Sequence, residues 1–182
     1  VMRVLSPIWT EKHETAKRLS QRLATVFDWA KAKSLYPHEN PLNGIKKALP
    51  PVKRIKTHLA ALPWSEVPAF MRELAKREGV SARTLEFIIL TAARSGEARG
   101  ALWSEFDLAA KVWTVPGARM KRGVEHRVPL SCEALAILER VRGLDEDFVF
   151  ASTHRGHGGK VRAQSDMVFK SLLRRMNREG FT

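Results

Sequence analysis

Thr91-Ala92-Ala93-Arg94-Ser95-Gly96-Glu97 is the stretch around which the rest of the sequence is organised. An apolar helical run, Leu85 to Ile89, leads into it. Arg94 therefore falls at a helix end, with an acid following at Glu97. Further on, a hairpin-like segment carries Arg119-Met120-Lys121 and then His126-Arg127-Val128-Pro129-Leu130-Ser131. An arginine at a helix end and a lysine in a turn between two short strands form a set that can handle phosphate. The guanidinium is planar and always charged, and takes two phosphate oxygens at once. The ammonium group offers a movable proton.

Two more boxes lie between them, Trp103-Ser104-Glu105-Phe106-Asp107-Leu108 and Val112-Trp113-Thr114-Val115-Pro116. Each is weak alone. In this order and at this spacing, the five closely resemble the catalytic domain of tyrosine recombinases, the phage-type integrases. The branch they match best is that of satellite-phage integrases of enteric bacteria. The resemblance is dense over about 40 residues and looser over nearly the whole chain.

Composition sets independent bounds. The chain has 182 residues, 44% of them apolar, enough for one good core or two small ones. No apolar run approaches the roughly 18 residues of a membrane span, and no signal peptide is evident at the N-terminus. A single cysteine, Cys132, excludes an internal disulfide framework and fits a reducing compartment, the cytoplasm. It is expected to be a small buried hydrophobe at a helix start. The net charge is +13 and uneven. Val1 to Thr57 holds 12 Lys and Arg against 4 Asp and Glu, and the remainder 20 against 15. Such a surface attracts polyanions. Nucleic acid suits it better than an anionic membrane, because no amphipathic helix has a purely basic face.

The periodicity predicts a mainly helical protein (α+β) with one small antiparallel sheet. Thr10 is expected to cap a helix over Glu11–Lys33, burying Ala16, Leu19, Leu23, Val26, Phe27 and Ala30. Lys12, Lys17, Arg18, Arg22, Lys31 and Lys33 lie mostly off that stripe, as either a solvated face or a DNA-backbone face. A helical turn and a Pro50-Pro51 break follow, with Lys46, Lys47, Lys53, Arg54 and Lys56 making a basic connector or a plain exposed hinge. Ser65 is expected to cap a helix closed near Gly79. Ser81 begins the next, which buries Leu85, Ile88, Ile89 and Ala92. Gly96 lets the chain bend. Val112–Val115 and His126–Leu130 read as strands joined by Gly117–Glu125, a charged turn with few apolar anchors that is expected to be mobile. Ser131 caps a helix through Val141, and a last helix covers Ser165–Arg178.

The resemblance assigns domains and roles. It implies the later part of a helical core DNA-binding domain over residues 1–45, a basic linker over 46–61 that runs along DNA, and the first part of a catalytic domain over 62–182. Asn40-Pro41-Leu42 matches the end of the first domain, and Val1 to Ile8 looks like a cut through its middle. The family cuts and rejoins DNA through a 3′-phosphotyrosine link, working as a tetramer on a duplex attachment site. Arg94 is then the first of two arginines that stabilise the charged transition state. Lys121 is the general acid for the leaving 5′ oxygen. Glu97 orients Arg94 or caps its helix. His126 fits the branch pattern, with a structural hydrogen bond as the alternative to catalysis. Arg119 and Arg122 are further phosphate contacts.

The family's His-x-x-Arg box and its nucleophile are missing from these 182 residues, and Tyr36, the only tyrosine, lies in the wrong domain. The expectation is an integrase fragment that binds DNA without cutting it, with a naturally truncated regulator as the alternative. A basic RNA-binding module ranks below both, for want of a sheet with base-stacking aromatics. No cofactor or metal is expected. His154 and His157 lack partner ligands, and Gly156-His157-Gly158-Gly159 lacks the flanks of a phosphate cradle.

Overall fold

A computed structural model describes residues 1–52 and 60–180 of the chain. It divides into two compact units, Val1–His58 and Leu59–Thr182. Lys53, Arg54 and Lys56, together with the side chain of Lys46, lie outside the described part. Lys47 is exposed.

The first unit is helical: α1 Met2–Trp9, α2 His13–Ala32 and α3 Ile45–Ala48. Leu5, Trp9, Ala16, Leu42, Ile45 and Leu49 form its core, with Leu19, Leu23 and Phe27 half-buried beside them. Thr10 does not start the long helix. It closes α1, and α2 begins after Lys12. Val26 is also misplaced in the expected stripe, since it is exposed together with Trp29. Asn40 fastens the segment after α2 back onto that helix. Its buried amide donates to the Ala24 carbonyl at 3.0 Å and to Asp28 Oδ1 at 2.7 Å, while its Oδ1 accepts from the Leu42 N–H. Each such bond contributes about 1 kcal/mol and fixes Leu42 in the core.

The second unit is built around α5, Val80–Thr91. This helix packs against α4 Val67–Ala75, α6 Ser95–Arg99, α7 Cys132–Val141 and α8 Val168–Arg175. Two apolar clusters flank it. One gathers Phe87, Trp113, Val115, Leu138, Val149 and Phe150. The other gathers Phe70, Leu74, Ala82, Leu172 and Met176. Enclosure on more than one side explains why the expected face is only part of what α5 buries. Arg83, Thr84 and Glu86 are buried, Leu85, Ile88 and Ile89 are half-buried, and Ala92 is exposed in a left-handed conformation at φ 51°. Gly79 does not close α4, which ends at Ala75. It is the residue before α5, at φ 94°, a backbone that side chains rarely adopt. A short 3₁₀ turn, Trp64–Glu66, precedes α4 where Ser65 was expected to cap it.

The sheet is antiparallel in the order β1-β2-β3, with β1 Phe106–Asp107, β2 Val112–Val115 and β3 His126–Pro129. The register sets Trp113 opposite Val128 and Val115 opposite His126. Trp113 is fully buried, stacked on Phe106 with ring centres 5.4 Å apart. Ser131 caps α7 as expected, accepting from the Ala134 N–H at 3.2 Å. Cys132, the next residue, is exposed rather than buried, because α7 turns Ala134, Ile137, Leu138 and Val141 inward instead. No described helix is long and apolar enough to cross a membrane.

Candidate phosphate-binding site

Arg94 is the residue that precedes α6, in extended conformation at φ −67°, ψ 144°. Its backbone N–H donates to Glu97 Oε2 at 3.2 Å, and its Nη1 pairs with Glu97 Oε1 at 2.7 Å. The carboxylate thus holds both ends of the residue. Exposure differs sharply across the pair: the Arg94 side chain is 74% exposed and that of Glu97 is 7%. The acid is built into the fold, and the guanidinium is held at its root and presented to solvent. Gly96 sits inside α6 and makes no bend.

The turn that carries Lys121 is tied down at its base. Arg119 and Met120 N–H donate back to Pro116 and Gly117, and Gly123 N–H to Met120. Gly117 faces Gly123 so closely that a Cβ there would lie 2.4 Å from the Gly123 carbonyl oxygen. Only glycine fits. Met120 packs against the main core. The expectation of a turn with few anchors is therefore corrected, while Lys121 and Arg122 themselves are exposed. His126, at the start of β3, is exposed as well.

Arg119 departs most from expectation. It does not face outward as a phosphate contact. One arm of its guanidinium pairs with Glu105, and the other donates to the backbone carbonyl of Glu97. Glu105 is buried and its second oxygen accepts from Trp113 Nε1 at 2.9 Å. A basic turn residue looks like a DNA contact in sequence. The available signal was Glu105, an acid between Trp103 and Phe106 that needs a cationic partner once buried.

Arg99, the last residue of α6, ties that helix to the segment before α8, its Nη1 donating to the Gln164 carbonyl at 2.6 Å. A cavity of 730 Å³ lies against α5 and α8, lined by Leu62, Phe70, Leu85, Ile88, Ile89 and Leu173 among others. Its apolar walls include none of the candidate phosphate residues. Among the described residues no three His, Cys, Asp or Glu side chains converge as a metal site.

A helical unit with a three-stranded antiparallel sheet, an exposed arginine rooted on a buried acid and a lysine-bearing turn is the architecture of a tyrosine-recombinase catalytic region. The chain belongs to the phage integrase family: residues 61–182 match that family and residues 1–48 match the phage integrase central domain. It is 31% identical over 181 residues to the integrase of Enterobacteria phage P4, covering 91% of this chain and 40% of that protein. It is 36% identical over 143 residues to the prophage integrase IntA of Escherichia coli, covering 76% of this chain and 34% of that one. The chain thus spans about two-fifths of the curated relatives' length or less. In fold it resembles the Tn1549 transposon integrase solved with a circular intermediate DNA, at TM-score 0.64 and 12% identity, over 91% of this chain and 59% of that one.

Proposed function

We propose that this chain is a duplex-DNA-binding part of a site-specific recombinase in which Arg94 and Lys121 address the scissile phosphate. The observation that carries this is the Arg94–Glu97 pair, a buried acid that holds an exposed guanidinium by one edge. The free edge of the fork suits two non-bridging phosphate oxygens, where negative charge grows in the transition state. Lys121, on the tethered turn, gives its proton to the departing 5′ oxygen as the phosphorus–oxygen bond breaks. A tyrosine hydroxyl attacks the same phosphorus and forms the 3′-phosphotyrosine bond. The only tyrosine in the 182 residues is Tyr36, whose ring packs on Phe27 and His38 in the first unit. That unit matches the phage integrase central domain and not the part that carries Arg94 and Lys121, so we assign the nucleophile to a tyrosine other than Tyr36. His126 acts beside the phosphate or through a structural hydrogen bond.

The rest of the proposal follows the charge. Residues 1–45 and 62–182 act as two DNA-contacting domains and 46–61 as the basic connector along the duplex, with Lys46, Lys47, Lys53, Arg54, Lys56 and Arg122 contacting the backbone. The Tn1549 integrase was solved with DNA, and the +13 charge of this chain fits the same class of partner. Work in the cytoplasm at a duplex attachment site, as a tetramer in the complete recombinase, completes the picture.

The test is duplex affinity as a function of salt. Binding should fall steeply as salt rises, because each neutralised phosphate releases counterions. Replacing the five connector cations by alanine should weaken all sequences alike and flatten that slope. On a nicked suicide substrate the chain should form no covalent adduct. Salt-independent affinity, or an adduct mapped to Tyr36, would overturn the proposal.

A further inference from the structure

We infer that Arg119 is a positioning residue that fixes the Lys121 turn against the helix carrying Arg94, and is not itself a DNA contact. This rests on the function proposed above, in which Arg94 and Lys121 must meet one phosphate. The residues form a continuous chain. Arg94 is held by the Glu97 carboxylate, and the carbonyl of the same Glu97 accepts from Arg119. Arg119 stands two positions before Lys121. Its other arm is neutralised by Glu105, which Trp113 in β2 holds in place. One guanidinium therefore joins α6, the turn and the sheet.

The surroundings are shaped for this fork. The Glu97 carbonyl lies near the C-terminal end of α6, where carbonyls lack helical partners and cations are favoured. Gly100, the residue after α6, leaves the space the guanidinium uses: a Cβ there would sit 3.0 Å from Arg119 Nη2. The Arg119 side chain is 25% exposed and that of Glu105 4%. A lysine could still neutralise Glu105, but a single ammonium lacks the planar fork that reaches both partners. Two groups acting on one phosphate lose efficiency when their separation fluctuates, so cutting one branch should harm their joint action while leaving the fold.

The experiment uses the chain with Cys132→Ser and cysteines introduced at Ser95 and Arg122, both exposed, for spin-label distance measurement without DNA. In this background Arg119→Lys should keep cooperative unfolding near that of the parent, yet broaden the distance distribution about twofold. The second readout is a double-mutant cycle of Arg94→Ala and Lys121→Ala on duplex affinity. The two effects should be non-additive by roughly tenfold in the parent and additive with Arg119→Lys. Arg119→Ala leaves Glu105 buried and unpaired, so Arg119→Ala with Glu105→Gln serves as the folded control and should behave like Arg119→Lys. An unchanged distance distribution in both folded variants would overturn the assignment. So would an Arg119→Ala/Glu105→Gln chain whose only change is a salt slope lower by about one, the mark of a lost phosphate contact. Failure of the parent to bind duplex at low salt would instead overturn the function proposed above, and the label distances would still decide the role of Arg119.

Discussion

Arg83–Glu86 and Arg94–Glu97 have the same residues at the same spacing, one within α5 and one at the start of α6, and they do opposite things. In the first pair both side chains are buried, at 6% and 5% exposure, with Nη1 and Oε2 3.0 Å apart. Arg83 spends its other arm on the C-terminal end of α4 and the chain just beyond it, donating to the carbonyls of Leu74, Ala75 and Arg77 at 2.9, 3.2 and 2.8 Å. Burial pushes the Glu86 carboxyl up and the Arg83 guanidinium down, while their mutual attraction opposes both shifts. In the second pair only the acid is buried, and the guanidinium is presented to solvent. Spacing alone does not distinguish an ion pair that is wholly buried from one that presents its guanidinium to solvent. The difference lies in what else the arginine is bonded to.

Breaking the two pairs should separate them. Arg83→Ala leaves Glu86 as a buried charge and three carbonyls without their donor. The expected cost is about 3–5 kcal/mol, read by chemical denaturation of the chain. Arg94→Ala should cost less, about 1–2 kcal/mol, because the lost charge is solvated and the buried Glu97 carboxylate keeps the backbone N–H of residue 94, yet it should weaken duplex binding and suppress cleavage in a complete recombinase. Equal stability losses at the two positions would mean that the two pairs play the same structural part.

Glu97→Ala tests the root of the exposed pair. It removes the acceptor of the Arg94 N–H and the partner of its side chain. The expected loss is about 1–2 kcal/mol, as for other helix N-terminal caps. Duplex affinity should also fall although no cation has been removed, since an untethered Arg94 must be ordered on binding. A stability loss with unchanged affinity would mean that Glu97 only caps the helix.

The contrast also marks what sequence could tell. The boxes around Arg94, Trp103, Val112 and Lys121 identified the family, and apolar alternation with Ser131 as a cap located β2, β3 and α7. Two of the failures share one cause, burial that composition conceals. Arg83 and Glu86 read as a polar face, so the expected inner face of α5 went to Leu85, Ile88 and Ile89. Arg119 read as a phosphate contact because Glu105 lies 14 residues away in sequence and reaches it only through the β1–β2 fold. β1, with two residues, is too short to show a period. Arg94 was legible because its partner, Glu97, is local.

The smallest expected effect is on the pH dependence of stability, and it distinguishes the buried acid from an exposed one. Glu86 has a folded pKa above its ordinary 4.5, raised by burial. As pH rises from 4.5 toward the folded value, the unfolded chain loses this proton first, so the contribution of Glu86 to stability falls with rising pH. Glu133 is shifted the other way: its own backbone N–H and the Ser131 hydroxyl hold its carboxyl below 4.5. Its contribution is present above 4.5 and is lost as pH falls through the folded value. The two windows lie on opposite sides of 4.5, so denaturation measured across that range can resolve them. Glu86→Gln should flatten the limb above 4.5, and Glu133→Gln the limb below it. If Glu86→Gln leaves the upper limb unchanged, burial is not what sets the titration of this pair.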